Sequence, residues 1–345
     1  MTRGKKTNLS KLGEFGLIDR LTGNLPGNSK VVVKGIGDDC AVYKSSKDRY
    51  QIITTDALVE DVHFTLANHP PRLLGRKSLA VSLSDIAAMG GTPRTAVISL
   101  GIPKSLPLAF LDRFYEGIHS ICEEFNICIA GGDTVRSPKG FWVSLTLIGE
   151  VRKNRLFVRS GAKAGHAIMV TGTLGDSALG LKLLSKKKSP LKASKAARKF
   201  LETRHLDPVP RLEFARSLAA SKIRVSSMID ISDGLEQDLG HICRQSNKGA
   251  DLDLTTIPES RELKILCKNN DLDNNPFCLT GGEDYELLFT IPGEDVKKLV
   301  NITLKVGVPV TRIGRMTSEK GVIRLLKENE SPQIRKTSSG FDHFR

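Results

Sequence analysis

Five short acidic motifs stand where apolar, strand-like runs end beside glycine or another small residue. They are Gly37-Asp38-Asp39, Thr54-Thr55-Asp56, Gly131-Gly132-Asp133, Asp230-Ile231-Ser232-Asp233-Gly234 and Gly281-Gly282-Glu283-Asp284. Carboxylate oxygens are the preferred ligands of hard divalent cations, and small neighbours let the backbone approach a phosphate. One such motif is ordinary turn chemistry, whereas five together predict a metal-dependent enzyme that handles phosphate.

A further acid, Asp85, is predicted to lie on an apolar helix. The segment from Pro71 to Met89 has the spacing of apolar residues that is typical of a helix. One turn away from Asp85, this helix carries apolar residues such as Val81 and Ala88. A carboxylate on such a face needs a partner, and a buried ion pair is the simplest one. Beside the other acidic motifs, we expect a metal ion instead.

Two of the motifs contain paired acids that need different roles. Asp38 and Asp39 are adjacent and cannot both point the same way, so we expect one to bind a cation and the other to hold the loop. Asp230 and Asp233 flank Ser232 in front of a predicted helix. Ser232 or Asp233 suits an N-cap, which leaves Asp230 without a role. A helix N-terminus beside two carboxylates also suits Mg²⁺ and phosphate together.

Three other residues are ambiguous when their local sequence is taken alone. Glu283 either closes a turn or joins the site. His63 has no second His or Cys at metal-binding spacing, and a packed histidine is the commoner role for such a residue. Arg159 precedes a glycine-rich stretch, where a guanidinium suits phosphate oxygens, but the chain has many surface arginines.

Two common nucleotide-binding motifs are excluded by single residues. Cys40 occupies the third glycine position of a dinucleotide fingerprint that begins at Gly35. Leu181 stands where a phosphate-binding P-loop requires lysine. A nucleotide must therefore be held in another way.

The elements that must position these residues alternate between strands and helices. In the first half, apolar patterning predicts strands at 31–34, 50–55, 95–102 and 142–151 and helices at 71–89 and 110–125. In the second half, it predicts a strand at 167–171, a helix at 177–184 and further elements at 211–221, 235–245, 251–254, 286–291 and 295–299. A polar, glycine-rich break falls between these halves, so we expect an α/β protein with domains at 1–155 and 156–345.

Composition narrows the class of protein. The chain has 345 residues, 39% of them hydrophobic, and 31 glycines, which is typical of a folded and turn-rich protein. No apolar run approaches the roughly 20 residues that a membrane span needs. No apolar signal core follows the basic N-terminus, so we expect a cytoplasmic protein with no membrane partner and six reduced cysteines.

The net charge of +14 is unevenly distributed. Eight Lys and Arg residues and no acid lie between 182 and 199, a stretch that also contains Ser, Ala and Pro190. We interpret it as a solvated surface insertion. It has no aromatic side chain for base stacking, and aromatic residues make up only 5% of the chain. Nucleic-acid binding as the main function is not expected, whereas a general attraction for polyanions such as nucleotides is.

Taken together, nine motifs closely resemble the thiamine-monophosphate kinase family of the aminoimidazole ribonucleotide synthetase superfamily. They occur in order between about residue 12 and residue 344: GIGDDCAV, TTDALVEDVHF, SLSDIAAMGGTP, AGGDT, RSGAKAG, VTGTLGDSALGL, IDISDGL, TGGEDYELLFT and GFDHF. The resemblance implies a two-domain α/β (α+β) fold. In it, the N-terminal sheet forms a β-barrel with that of a second copy, and the C-terminal domain is α/β.

The resemblance also implies an activity and a set of site residues. It implies that ATP phosphorylates thiamine monophosphate to thiamine diphosphate in a homodimer. Several Mg²⁺ ions would be bound by Asp39, Thr54, Thr55, Asp56, Asp85, Asp133, Asp230 and Asp233. ATP would contact Tyr115, Gly132, Asp133, Arg159 and Ser232. Thiamine phosphate would contact His63, Glu283 and Phe341.

The residues agree with direct in-line transfer of the γ-phosphoryl group. The acceptor is already an ionised phosphate, so no strong base or covalent nucleophile is needed, and none stands out among the motifs. An alternative within the superfamily is the aminoimidazole ribonucleotide synthetase reaction, in which ATP activates an amide oxygen. The motifs GGEDYELLF and GFDHF favour the thiamine kinase branch over this alternative.

Overall fold

The computed structural model describes residues 9–24, 30–185 and 191–335 as two sheets with helices packed on them. The first half contains α1 (Leu9–Thr22), β1 (Val32–Lys34), β2 (Ala41–Lys44), β3 (Arg49–Val59), α2 (Pro71–Ala88), β4 (Thr92–Pro103), α3 (Leu108–Phe125), β5 (Cys128–Ser137) and β6 (Trp142–Arg152). Its strands form one six-stranded sheet in the order β1-β2-β3-β6-β4-β5, and β5 is its exposed edge. The pair β4 and β5 is parallel, and the other described pairs in this sheet are antiparallel.

The second half forms a seven-stranded sheet. Its elements are β7 (Ala167–Thr171), α4 (Asp176–Leu184), α5 (Lys195–Leu206), α6 (Leu212–Ala220), β8 (Ser227–Asp230), α7 (Leu235–Ser246), β9 (Gly249–Asp253), α8 (Arg261–Asn269), α9 (Asn275–Thr280), β10 (Leu287–Ile291), α10 (Leu299–Val306), β11 (Val310–Thr317), β12 (Ile323–Leu326) and β13 (Gln333–Arg335). The strand order is β13-β12-β9-β11-β7-β10-β8.

Helix α2 lies between the two sheets. Pro71 begins it, where a missing backbone N–H does no harm, and Gly90 follows its end with a φ of +67°. It contacts β3 and β6 of the first sheet and β8 of the second. Leu74, Leu79 and Leu83 on this helix are fully buried. Burial on almost every side explains why a helix with so few charged residues is stable in water.

A close helix pair fixes the position of α2. A side-chain carbon added to Gly75 would lie 2.0 Å from the carbonyl oxygen of Phe114, and one added to Gly117 would lie 1.9 Å from that of Arg72. The backbones of α2 and α3 therefore touch, which only glycine allows at these two positions. Around them, one hydrophobic core extends from Ile52 of the first sheet to Phe289 of the second.

Most predicted elements are confirmed, and several differ in an informative way. Helices are found at the positions predicted for 71–89, 110–125, 177–184 and 235–245. The motif Thr54–Asp56 lies inside the eleven-residue strand β3, and Asp133 lies inside β5, so the prediction that both follow a strand is wrong. The acids interrupt the apolar patterning before the strands end. Asp56 lies on the same side of β3 as Ile52 and Leu58, where it meets Ser82 of α2, and nearly all of β5 is exposed.

The basic stretch and the cysteines need separate comment. Part of the stretch 182–199 belongs to α4 and α5, while Lys186, Lys187 and Lys188 lie outside the described residues. The six cysteines are free, and five are buried, but Cys128 is exposed on β5, contrary to expectation. Among the described residues, no helix is long and apolar enough to cross a membrane. The predicted domain boundary near residue 155 stays a prediction.

A buried ion cluster joins the helices to the second sheet. Glu286, next to β10, accepts hydrogen bonds from Arg211 Nε (2.6 Å), Arg204 (2.9 Å) and Thr171 Oγ1 (2.6 Å). Burial would raise the pKa of its carboxyl, but the charges of Arg211 and Arg204 and the hydrogen bonds more than offset this and hold the pKa below its usual value. Glu286 is therefore ionised and paired inside the protein.

Replacing Glu286 with Gln should destabilise the fold strongly. The change removes the counter-charge of Arg211 and one of the two carboxylates beside Arg204, and both side chains are mostly buried, so we expect the free energy of unfolding in urea to fall by about 3–5 kcal/mol at pH 7. A folded-state pKa below the usual value contributes stability above about pH 4.3, the usual pKa of glutamic acid, and this stability is lost at lower pH. The difference between wild type and Glu286→Gln should therefore shrink as the pH falls below about 4.

A surface variant of the same chemistry is the control. Glu116→Gln breaks the exposed pair with Arg113 on α3 and should leave the free energy of unfolding nearly unchanged. Equal destabilisation by the two variants would show that the buried cluster adds nothing beyond a surface charge.

Candidate active site

Three carboxylates from three separate elements meet at one point. Oxygens of Asp39, Asp85 and Asp230 all lie within 4.8 Å of one another. Asp39 comes from the loop after β1, Asp85 from α2 and Asp230 from the end of β8. The buried position of α2 brings the two halves of the chain together here.

Burial and mutual repulsion perturb these acids. The pKa of Asp230 is raised to about 7, first by burial and then by the charge of Asp39. Burial, with the charges of Asp56 and Asp230, raises the pKa of Asp85 well above its usual value. Burial also raises the pKa of Asp39, although Arg159 acts in the opposite direction. Bringing such groups together favours protons or a cation between them.

The donor set suits a hard divalent cation. Among the described residues, Asp39 Oδ2 is a buried oxygen with no hydrogen-bond partner and lies in this cluster. The neighbouring Cys40 stays a protonated thiol, because burial and the charge of Asp85 raise its pKa well above the usual value. Oxygen ligands without thiolate are what Mg²⁺ prefers.

The roles of Asp38 and Asp39 are separated by their contacts. Asp38 accepts a hydrogen bond from the backbone N–H of Arg159 (3.1 Å) and pairs with Lys34 (3.0 Å). Asp39 pairs with the Arg159 guanidinium at 2.5 Å and keeps its second oxygen towards the cluster. Asp38 therefore holds the loop, as one of the two was expected to do.

Hydroxyl groups that the sequence reasoning passed over orient the carboxylates. Ser82 Oγ donates to Asp56 and Ser84 Oγ donates to Asp230, both at 2.6 Å. Thr54 Oγ1 donates a short hydrogen bond to Asp85. Ser82 and Ser84 were detectable as polar residues within an apolar helix, three residues and one residue before Asp85.

Asp56 lies beside the cluster, whereas Thr55 and Asp233 contact other residues. The charge of Asp56 raises the pKa of Asp85. Thr55 is exposed, and its hydroxyl accepts a hydrogen bond from Thr146 Oγ1 at 3.0 Å. Asp233 is half-buried and accepts a hydrogen bond from Gln237 Nε2 at 2.9 Å.

Gly132 and Asp133 lie elsewhere on the first sheet. Residue pairing across β3, β6, β4 and β5 runs from Asp56 through Leu145 and Ile98 to Gly132. Three strand spacings separate the ends of this row, about 14 Å. The structure does not bring Asp133 to the cluster of its own chain, but leaves it exposed on the edge strand.

The loop before α7 is held by an acid that the sequence analysis missed. The backbone N–H groups of Ser232, Asp233 and Gly234 all donate to Asp238 Oδ2 at 3.2 Å. The N-cap position is taken by Gly234, which has no side chain to cap the helix, so the cap expected from Ser232 or Asp233 is not formed, and Asp238 holds the preceding loop instead. These three N–H groups precede the helix, and the expectation that its N-terminus suits Mg²⁺ and phosphate stays a prediction. Asp238 was recognisable only by its place one turn into the helix.

A cavity of about 830 Å³ opens beside the carboxylates. Asp56 and Asp233 line it at one end, and His63, Phe64 and Glu283 line it elsewhere. Its size suits a small organic ligand. His63 Nδ1 accepts the backbone N–H of Val59 at 3.1 Å, so this side chain also closes a local turn.

The remaining predicted residues are distributed as follows. Arg159 pairs with Asp39, and Ser232 lines the cavity. Tyr115 is 44% exposed on α3, with its ring against Phe114, and its predicted contact with ATP stays a prediction. Phe341 lies outside the described residues.

Comparison with known proteins agrees with this arrangement. The N-terminal domain of the AIR synthase related proteins matches residues 37–151, and the C-terminal domain of the same family matches residues 163–327. The thiamine-monophosphate kinase of Buchnera aphidicola subsp. Schizaphis graminum is 40% identical over 332 residues, covering 96% of this chain and 98% of the relative. The Escherichia coli K12 enzyme of the same name is 38% identical over 333 residues, with coverage of 96% and 98%.

A solved structure agrees over the same length. It is described as AaThiL complexed with AMPPCP and TMP, superposes with a TM-score of 0.83 at 33% identity, and covers 99% of this chain and 100% of its own. These matches extend across both sheets and every described acidic motif. The chain therefore belongs to the thiamine-monophosphate kinase family of the AIR synthase related proteins.

Proposed function

We propose that this protein transfers the γ-phosphoryl group of ATP to thiamine monophosphate, forming thiamine diphosphate and ADP. The observation that carries the proposal is the cluster of Asp39, Asp85 and Asp230 beside a cavity of about 830 Å³, in a chain of this family. The related structure described with AMPPCP and TMP supports both substrates. Because ATP is the phosphoryl donor, the proposed setting is the cytoplasm.

The metal ligands follow from the same cluster. Asp39, Asp85 and Asp230, with Asp56 and Thr54 next to them, would hold Mg²⁺. Thr55 and Asp233 are proposed as further ligands. When bound, Mg²⁺ neutralises phosphate oxygens and so lets two anions approach each other. Ser82 and Ser84 keep two of the carboxylates in place while this happens.

The transfer is proposed to be direct and in line. The acceptor phosphate is ionised near neutral pH, so it attacks without a strong base. Arg159 is placed to contact the ATP phosphates, together with Ser232 and, on α3, Tyr115. His63 and Glu283 line the cavity for the thiamine moiety, and Phe341 is proposed to contact it as well.

A turnover assay tests the activity. Purified protein with ATP, Mg²⁺ and thiamine monophosphate should yield thiamine diphosphate and ADP in equal amounts, measured by mass spectrometry. No thiamine diphosphate would favour the alternative, an enzyme that activates an amide oxygen. A phosphorylated enzyme intermediate in rapid-quench samples would contradict direct transfer.

Replacing Asp85 with Asn tests the metal site. The change keeps the size of the side chain but removes a charge, so we expect turnover to fall by about a thousandfold, since the lost charge stabilisation amounts to several kcal/mol. In the absence of Mg²⁺, the melting temperature should stay near that of wild type. Mg²⁺ should raise the melting temperature of wild type but not that of the variant.

Asp112→Asn, at an exposed position of α3, is the matched control and should behave like wild type. A collapse of folding in Asp85→Asn without Mg²⁺ would instead make Asp85 a structural partner.

The exposed edge strand β5 supports a homodimer. All of its residues except Ser137 are exposed, including Ile129 and Val135, and a long unpaired edge of this kind invites a second copy. Asp133 and Gly132 lie about 14 Å from Asp56 of the same chain, on this edge. We propose that both residues serve the nucleotide site of the second copy, across a pair of sheets that closes into a barrel.

Subunit complementation tests this arrangement. Asp85→Asn and Asp133→Asn should each be inactive, but co-refolded chains should recover about one quarter of wild-type activity. This is because half of the dimers are mixed and each mixed dimer has one intact site. Mixing Asp85→Asn with Asp230→Asn is the control and should recover nothing. No recovery in the first mixture, or a monomer by light scattering, would contradict the proposal.

A further inference from the structure

Lys77 is a buried cation that the proposed reaction does not use. It lies on α2, eight residues before Asp85, and its side chain is only 1% exposed. Its Nζ donates a hydrogen bond to the Glu283 carboxylate at 3.1 Å. Lysine is rarely buried to this extent without a specific partner.

A histidine from another helix contacts the same carboxylate. His205, near the end of α5, is 3% exposed, and its Nδ1 lies 3.1 Å from Glu283 and 3.1 Å from Ser177 Oγ. Glu283 keeps 23% of its side chain exposed and lines the cavity. The carboxylate is therefore held on two sides and faces the cavity.

The backbone around Glu283 is also constrained. Glu283 and Tyr285 have φ angles of +65° and +51°, which are uncommon for residues with a side chain. Between them, Asp284 accepts the backbone N–H groups of Gly175 and Ser177, at 2.7 and 3.2 Å. Such strain persists only where surrounding contacts determine the conformation.

The charges of Glu283 and Lys77 balance, and His205 adds none. Burial alone would raise the pKa of Glu283, but Lys77 and His205 more than offset it and hold the pKa well below its usual value. Burial and the charge of Lys77 lower the pKa of His205, so this imidazole is neutral at pH 7. One carboxylate thus faces one ammonium and one neutral ring.

We propose that Lys77 and His205 are positioning residues that hold the Glu283 carboxylate towards the cavity, where it binds the cationic thiamine moiety of the acceptor. This inference rests on the proposed function. The thiazolium ring of thiamine carries a permanent positive charge, and a fixed carboxylate in a partly desolvated cavity attracts it. It also gives a role to α5, the helix that contains the end of the basic stretch, because this helix supplies His205.

Steady-state kinetics of Lys77→Met and His205→Asn test the assignment. Each should raise the KM for thiamine monophosphate by about tenfold or more, because Glu283 is no longer held, while the KM for ATP stays within about twofold. Lys77→Arg should recover much of the loss by restoring the cation. Lys264→Met removes the cation beside Glu259 on the surface and should change neither constant.

A double variant shows whether Lys77 acts through Glu283. In a Glu283→Gln background, Lys77→Met should cause no further rise in the KM for thiamine monophosphate. The double variant buries no unpaired charge, so this comparison stands even where Lys77→Met alone does not fold.

The outcomes separate the two proposals. Wild-type protein that makes no thiamine diphosphate would overturn the proposed function. Active wild type would overturn this inference in either of two cases: an unchanged KM for thiamine monophosphate in Lys77→Met, or a further rise in the double variant.

Discussion

The site depends on holding like charges together inside the protein. Asp39, Asp85 and Asp230 repel one another and are removed from water, which is unfavourable unless something else fixes their positions. The apolar packing of α2 between the two sheets fixes the positions of these acids. Once the helix is buried, Asp85 is fixed in place with only part of it exposed, and the loop after β1 and the end of β8 bring their acids to it. A cation then relieves the repulsion that the fold maintains.

A second set of buried charges supports the other end of the cavity. In the segment from Gly281 to Glu286, the residues that face the cavity alternate with residues anchored in the second sheet. Asp284 caps the start of α4, and Glu286 binds Arg204 and Arg211. These anchors keep Glu283 in an unusual backbone conformation. The same loop therefore contributes to stability through two side chains and to binding through a third.

The apolar patterning of the sequence predicted most of the helices and strands that the structure contains. The helix that carries Asp85 is rich in apolar residues, begins at a proline and ends before a glycine pair, and its predicted limits agree with the structure to within a residue. Strands that carry an acid before their end were harder to predict, because Asp56, which faces α2, and Asp133, which is exposed, imitate the end of a strand. Supporting residues such as Asp238 escaped detection, since an acid in the first turn of a helix is common and its three backbone partners become visible only after folding.

The order of the acidic motifs along the chain determined the family, the reaction class and the residue types that meet the phosphate. Local chemistry suffices for this, because carboxylates and glycines suit metal and phosphate wherever they occur. Only the tertiary structure decided which acids converge. It placed Asp39 rather than Asp38 in the cluster, and it put Asp133 three strands away from it. It also put Lys77 and His205 against Glu283. Such pairings join residues far apart in the chain, and packing between sheets, not local spacing, sets their distances.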